Sequence, residues 1–536
     1  MLSEFKNEPY ADFSLPANRK AQEEAIKTVE GQFNRKYCLF INGKDVKTDR
    51  LLKSYNPSNK DEIVGTFYKA SKHEVDLAME AAQEAWQRWR QVPARERATV
   101  LLKAAQIMRR RKFELNAWLI LEAGKSWIEA EADVSEAIDF CDFYAREMIR
   151  WSEIKGVTPF PNEATELRYL PLGVGVIIPP WNFPFAILVG MTTAAIVTGN
   201  AVLLKPASDT PAVGYRLVEV LKEAGLPDGV LNYIPGGGGE IGDYLVQHPQ
   251  TRFISFTGSK EVGLRIIELA AKLSSGQIWV KRVIAEMGGK DTIIVEPDAD
   301  LQDAAAAVVA SAFGYQGQKC SACSRVIVAA EIYDRFIDML VQRTETLTIG
   351  PAKDPATYLG PVINEASEQK ILSYMDIGKA EGELVCGGNK AAGDGYFLQP
   401  TIFKNIQPGA RLDQEEIFGP VLAVIKSHSF EQAIEIANAT EYGLTGSVFT
   451  KDRYKIEQAK RDFFVGNLYI NRKCTGAMVG AHPFGGFNMS GTDSKAGGMD
   501  YLGLFMPVSA TLRCFPFVKM QLMLGRLVCP AIKLFT

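Results

Sequence analysis

The sequence is poor in histidine and lacks any long apolar run, and both shortages narrow its chemistry. Only four histidines occur in 536 residues, His73, His248, His428 and His482, and none is paired with another or set beside a serine or cysteine nucleophile. With no second CxxC and no paired His, a zinc centre lacks its four ligands, and no metal is expected. No apolar stretch is long enough to cross a bilayer, so no membrane partner is expected for the main body. The first thirty residues carry acids throughout and no apolar h-region, which argues against a secretory leader. A charge excess is also missing: the net charge is −3, which excludes a nucleic-acid partner for the chain as a whole. Eight cysteines, scattered from Cys38 to Cys529, do not form a disulfide framework and fit a reducing cytoplasm. Neither a solenoid repeat nor a low-complexity linker is present.

What is there is an α/β pattern. The length predicts two or more domains of ~100–200 residues each. "SKHEVDLAMEAAQEAWQRW" opens on a capping box, Ser71 and Glu74, and then spaces Val75, Ala78, Ala82, Ala85 and Trp89 along one helix face. Further on, "GVGVIIPP", "AVLLKP", "VLNYIP" and "RFISFTG" are short apolar runs ended by Pro or Gly. Helical segments separate them, among them "TPAVGYRLVEVLKEAGLP", with Pro211 near its start and Gly225 at its end. A second such series begins at "TIIVEPDADLQ". Alternation of this kind predicts two doubly wound parallel-sheet domains, with ligands at the carboxyl ends of the strands. The tail from Tyr501 has no acid and carries Arg513, Lys519, Arg526 and Lys533; the last three, spaced by seven, would form a narrow basic stripe on a helix, although Pro516 and Pro530 would interrupt it.

Several stretches carry chemistry. In "GQKCSACS", residues 317–324, Cys320 can attack a substrate, ligate a metal, cycle as a disulfide or pack; a packing role is expected for Cys323. "PGGGGEIG" satisfies GxGxxG through Gly237, Gly239 and Gly242, but a run of four glycines satisfies many patterns, and a flexible turn is the better reading. In "FTGSKEVG", Gly258 and Ser259 lead from a strand into a helix, where free N–H groups suit a phosphate. "LLKPAS" puts Lys205 at a strand end, within reach of a ribose hydroxyl or a phosphate.

"PPWNFP" (179–184), "LLKPAS" (203–208), "FTGS" (256–259), "EMGGKD" (286–291), "GQKC" (317–320) and "EEIFGP" (415–420) follow in this order. Together they resemble the NAD(P)-dependent aldehyde dehydrogenase superfamily over roughly residues 35–505. The anchor stretch "NLYINRKCTGAMVGAHPFGGFNMSGTDSKAGG" is similar to the branch acting on L-glutamate γ-semialdehyde; another semialdehyde, or a CoA-acylating activity, is the alternative. An aldehyde must form a tetrahedral adduct before it can lose hydride, and the resemblance makes Cys320 the nucleophile. It implies Asn182, with the backbone N–H of Cys320, as the oxyanion donors, and Glu286 as the base that activates water on the thioester. It implies NAD as the cofactor, with Lys205 on the adenosine ribose, Gly258 and Ser259 at the pyrophosphate, Trp181 lining the site, Glu416 on the nicotinamide ribose and Phe418 against the nicotinamide.

NADP stays open, because Ser208 stands where many relatives carry a glutamate that repels a 2′-phosphate. For the substrate carboxylate the resemblance implies the backbone of Gly476 and Ala477 with Ser321, and Phe183 and Phe484 as the aromatic pair around the aliphatic stem. The implied architecture has residues 1–150 and 172–285 as the dinucleotide-binding domain and 286–475 as the catalytic domain. Residues 151–171 and 500–536 would be an oligomerisation arm and tail, in a homodimer or higher homo-oligomer.

Overall fold

The computed structural model describes residues 4–153 and 155–514. Two seven-stranded sheets organise it. The first orders its strands Arg282–Glu286, Phe253–Thr257, Val174–Ile178, Ala201–Leu204, Leu231–Tyr233, Leu39–Ile41 and Lys44–Val46. Its first five strands are parallel; the last two join antiparallel. Val174–Val176 and Ala201–Leu204 are buried without alternation, the pattern of parallel strands covered on both faces. The second sheet runs Glu383–Cys386, Thr401–Lys404, Val421–Ser427, Cys323–Ala329, Asp291–Val295, Thr445–Phe449 and Asn467–Ile470, parallel except for its first member. The parallel cores match the sequence expectation, and the antiparallel edges are an addition that the alternation of strand and helix did not announce.

Chain order decides where ligands go. In the first sheet the strands from Val174 onward step one way and those from Phe253 onward step to the other side. The switch point therefore lies between Val174–Ile178 and Phe253–Thr257, and the chain leaves their carboxyl ends as "PPWNFP" and "GSK". Thr257 pairs with Glu286, which ends the neighbouring strand. Five residues after Glu286 the chain opens the second sheet at Asp291, and Cys320 stands three residues before the next strand at Cys323. The carboxyl ends of one sheet thus meet the amino ends of the other.

Local signals behave as the sequence implies. Ser71 and Glu74 close a capping box on the helix Lys72–Trp89, and Pro211 starts the helix Pro211–Glu223, with Gly225 left-handed just beyond its end. The arm is a separate three-stranded sheet in which Glu163–Tyr169 pairs antiparallel with Lys155–Gly156 and Val508–Cys514. Arg513 therefore lies on a strand and not on a helix, because the edge of Glu163–Tyr169 pairs seven residues of this segment. Lys519, Arg526 and Lys533 lie outside the described residues.

Candidate active site

The loop that carries Cys320 is held under strain. After the helix Leu301–Phe313 the chain passes through Tyr315, Gln316 and Gly317 at φ of 50°, 56° and 68°, three left-handed residues in succession. For the two that are not glycine this costs about 1–2 kcal/mol each. Buried hydrogen bonds hold the shape: the Tyr315 hydroxyl donates to Ala123 O at 2.8 Å, and Gln316 Nε2 to Pro361 O at 2.7 Å. Gln318 Oε1 accepts from the Ile363 N–H at 2.9 Å. A Cβ on Gly317 would fall 2.3 Å from Gly419 O, so the close approach needs glycine. Beneath the loop the buried Lys125 ammonium, 3.1 Å from Asp133 Oδ2, lies over the rings of Phe183 at 3.9 Å and Tyr315 at 4.2 Å. Cys320 is half-buried, and burial, with the carboxylates of Asp291, Glu416 and Glu286 nearby, holds its thiol above the ordinary range. At rest it is a thiol, and to act as a nucleophile it would need a proton acceptor.

That acceptor is at hand. Cys320 and Glu286 line the same cleft, about 830 Å³ including its open mouth. Burial pushes the Glu286 carboxyl up to about 8, against the hydrogen bonds from the Ser494 hydroxyl and the Gly486 N–H that favour its charged form. A carboxyl near 8 takes and returns protons around neutral pH. Asn182 is buried next to the nucleophile loop, where its Nδ2 donates to Gln318 O at 2.9 Å. An amide nitrogen has two protons, so a second one remains for another acceptor.

The rest of the cleft comes from distant parts of the chain. Phe183, Ser321, Gly476, Ala477 and Phe484, all singled out from the sequence, line it together. Gly476 is left-handed at φ +74°. The sequence reading missed the long helix Trp127–Trp151, which contributes Glu136, Phe140 and Tyr144 to the wall. Burial, with Asp133 nearby, pushes Glu136 up to about 8. One signal could have found it, an acid on the otherwise apolar face "AIDFCDFYA" continues. Ser494, which binds Glu286, and Tyr501 carry no comparable signal.

The expected cofactor residues surround the switch point. Gly258 donates its N–H to Glu286 O at 3.1 Å, and its lack of a side chain leaves room for Phe256, whose ring a Cβ would meet at 2.6 Å. Ser259 caps the helix Lys260–Ala271. Lys205 is buried with only a 3.4 Å contact to Pro206 O, and burial lowers its ammonium to about 8, partly offset by Glu240. Ser208 is half-exposed on the following loop. Trp181 and Phe418 meet edge to face at 5.5 Å, and Phe418 holds φ +61°. Glu416 accepts from the Gly289 N–H at 3.0 Å, and a Cβ on Gly288 would fall 2.4 Å from its other oxygen. An underpartnered buried cation, a capped helix start and glycine-lined close approaches fit a dinucleotide. The GxGxxG stretch forms a π-type turn, Gly238–Gly242, whose Glu240 pairs with Arg50 and Lys69. Cys323 is buried and its thiol donates to Arg325 O at 3.2 Å. No group of metal-ligating side chains gathers among the described residues.

A cysteine and a high-pKa glutamate share a cleft between two α/β sheets, an arrangement that suits a thiol-dependent aldehyde oxidoreductase, and the comparisons agree. The aldehyde dehydrogenase family description matches residues 44–510, and the chain belongs to that family. It is 55% identical over 515 residues to the 1-pyrroline-5-carboxylate dehydrogenase of Anoxybacillus flavithermus, covering 96% of this chain and 100% of the relative. It is 54% identical, with the same coverage, to that of Bacillus subtilis. The crystal structure of 1-pyrroline-5-carboxylate dehydrogenase from Thermus with bound NAD superposes with a TM-score of 0.94 at 50% identity, covering 96% of this chain and 100% of that one. No described helix is long and apolar enough to cross a membrane.

Proposed function

We propose that this chain oxidises L-glutamate γ-semialdehyde, the open form of 1-pyrroline-5-carboxylate, to L-glutamate with NAD. The observation that carries the reading is one cleft holding both a nucleophile with its base, Cys320 and Glu286, and a carboxylate cradle, Ser321, Gly476 and Ala477. Relatives at 54–55% identity bear the corresponding name.

Cys320 gives its proton to Glu286, directly or through one water, and the sulfur adds to the aldehyde carbon. The second Asn182 Nδ2 proton and the Cys320 backbone N–H bind the oxygen that becomes negative. Lys205, Ser259, Trp181, Glu416 and Phe418 would hold NAD, which would supply the hydride acceptor; loss of hydride from the adduct carbon leaves a thioester on Cys320. Glu286, after passing its first proton to solvent, removes a proton from water, whose oxygen attacks the thioester carbon; the C–S bond breaks and the departing thiolate takes that proton back from Glu286 as glutamate is released. The backbone donors at Gly476 and Ala477 receive the α-carboxylate, Glu136 faces the α-ammonium, and Phe183 with Phe484 packs the stem. An aldehyde without the carboxylate leaves those donors unpaired.

NAD is the preferred cofactor, although Ser208 places no carboxylate against a 2′-phosphate. The arm sheet suits pairing with a second copy of the chain, and a nucleophilic thiol suits a reducing cytoplasm. The test is nicotinamide reduction with 1-pyrroline-5-carboxylate, run with NAD and NADP beside propanal and succinate semialdehyde. A clear preference for the pyrroline substrate supports the reading; equal rates on simple aldehydes remove the substrate. Light scattering that gives a monomer would overturn the pairing.

A further inference from the structure

Two walls of the cleft are tied together from outside by the first described residues. Asn7 Nδ2 donates at 2.9 Å to Asp139 Oδ2 and at 2.9 Å to the Val479 carbonyl. The Glu8 N–H donates to the other Asp139 oxygen at 2.7 Å. Asp139 lies on the helix Trp127–Trp151 between the cleft-lining Glu136 and Phe140, and Val479 follows closely after Gly476 and Ala477. One side-chain amide therefore bridges the wall that carries the carboxylate to the loop that carries the backbone donors.

The neighbours of Asn7 reinforce the strap. Lys112 Nζ donates to Pro9 O at 2.9 Å, the Ala11 N–H to Glu131 Oε1 at 2.7 Å, and Arg109 pairs with Glu8 at 2.7 Å. Phe5 packs edge-on against Phe143 at 5.2 Å between ring centres. A Cβ on Gly480 would fall 3.1 Å from both rings, so the loop comes close to its support at a glycine with φ +78°. The Tyr10 side chain is half-exposed, and its partial burial, with the carboxylates of Glu136 and Asp139 nearby, holds its phenol above the ordinary value. Its hydroxyl is 3.9 Å from Met478 Sδ.

The turn with left-handed glycines at 476 and 480 is braced from within by Arg472, which donates to the Thr475 and Gly476 carbonyls, and by His482 Nδ1, which accepts from the Met478 N–H; its N–H groups recognise a carboxylate only when the turn is also fixed against the opposite wall. The strap lies before the stretch that the family description matches, 44–510. No strap residue lines the cleft, and any effect on substrate must pass through the walls. We infer that Asn7 is a positioning residue for substrate selection: it fixes the Gly476–Ala477 turn relative to the Glu136 wall and so sets the carboxylate and chain length that the cleft accepts. The inference rests on the substrate reading above.

The test compares the full-length protein with Asn7→Ala and Asn7→Asp, using 1-pyrroline-5-carboxylate and propanal at saturating NAD. Removal of the bridge raises KM for the pyrroline substrate about five- to tenfold, with kcat held within about twofold and propanal kinetics unchanged. Asn7→Asp has the larger effect, because it sets a carboxylate against Asp139. An equal loss on both aldehydes, or an unchanged KM, overturns the inference. Deuterium exchange reads the strap without reference to substrate. Amides 476–480 should exchange faster in Asn7→Ala while those of Asp291–Val295 do not, and unchanged exchange at 476–480 also overturns it. A wild type that fails to prefer the pyrroline substrate over propanal removes the substrate reading, and the exchange result then decides on the strap.

Discussion

The side of the cleft proposed to react and the side proposed to anchor the substrate are built by different means. Cys320 and Glu286 sit in short segments at strand ends, with Tyr315 and Gln316 forced left-handed and Glu286 buried to a pKa of about 8. The anchor side has no comparable cluster of strain beyond Gly476; it is assembled from Phe183, Phe484, the Gly476–Ala477 turn and one face of the helix Trp127–Trp151. Chemistry demands a few groups in costly states, which a stiff loop and a dry pocket sustain. Recognition demands a shape, which distant elements build by packing. Damage to the first side should therefore appear in kcat, and damage to the second in KM for carboxylate-bearing substrates.

The largest effect tests the reacting side. Cys320→Ala should lower kcat on the order of 10⁴-fold or more and abolish acylation by an activated ester; a burst of ester cleavage in this variant would contradict the assignment. Glu286→Gln should slow turnover on the order of 10²- to 10⁴-fold and let a thioester accumulate, visible as an acyl adduct in the intact mass. The wild-type rate should rise as pH increases through about 8, where Glu286 loses its proton, and this limb should disappear in the Gln variant. A limb that survives would assign the titration elsewhere.

Gly476→Val puts a β-branched residue at φ +74°, which costs about 1–2 kcal/mol and should raise KM for the pyrroline substrate about five- to thirtyfold. Propanal kinetics should hardly move, and a matching loss on propanal would erase the distinction between the two sides. Ser208→Glu should reduce NADP use several-fold more than NAD use, read as the ratio of kcat/KM values.

The smallest effect is on stability. Buried Glu286 and Glu136 titrate near 8 and Glu122 near 7, all above the ordinary 4.5. Between these values the unfolded chain has released protons that the folded chain still holds, so stability falls as pH rises from about 4.5 to 8. Melting temperature should decline over that range, and less steeply in Glu286→Gln; parallel slopes would mean that Glu286 contributes nothing to the decline.

Much of the fold, and the segments that the cleft brings together around Cys320 and Glu286, were legible in the sequence, because they depend on local order. Apolar runs ended by Pro or Gly, the Ser71–Glu74 capping box and Pro211 at a helix start are written in consecutive residues, and the structure realises each one. The motifs around Cys320, Glu286 and Asn182 are likewise continuous stretches, since a backbone turn must present each group. The antiparallel edge strands and the strand at Val508–Cys514 were not legible, because pairing depends on which edge is free. Glu136, Ser494 and the Asn7 bridge were also hidden. Glu136 shares the cleft with Cys320, Ser494 binds Glu286 and Asn7 binds Val479, each across more than a hundred residues of chain, and only the folded chain brings such partners together. By itself the sequence determined which residues could do chemistry and how the chain turns around each of them. The tertiary structure alone decided the burial that lifts Glu286 to about 8 and the walls that a substrate must fit, because desolvation and shape belong to the packed molecule and not to any one segment of it.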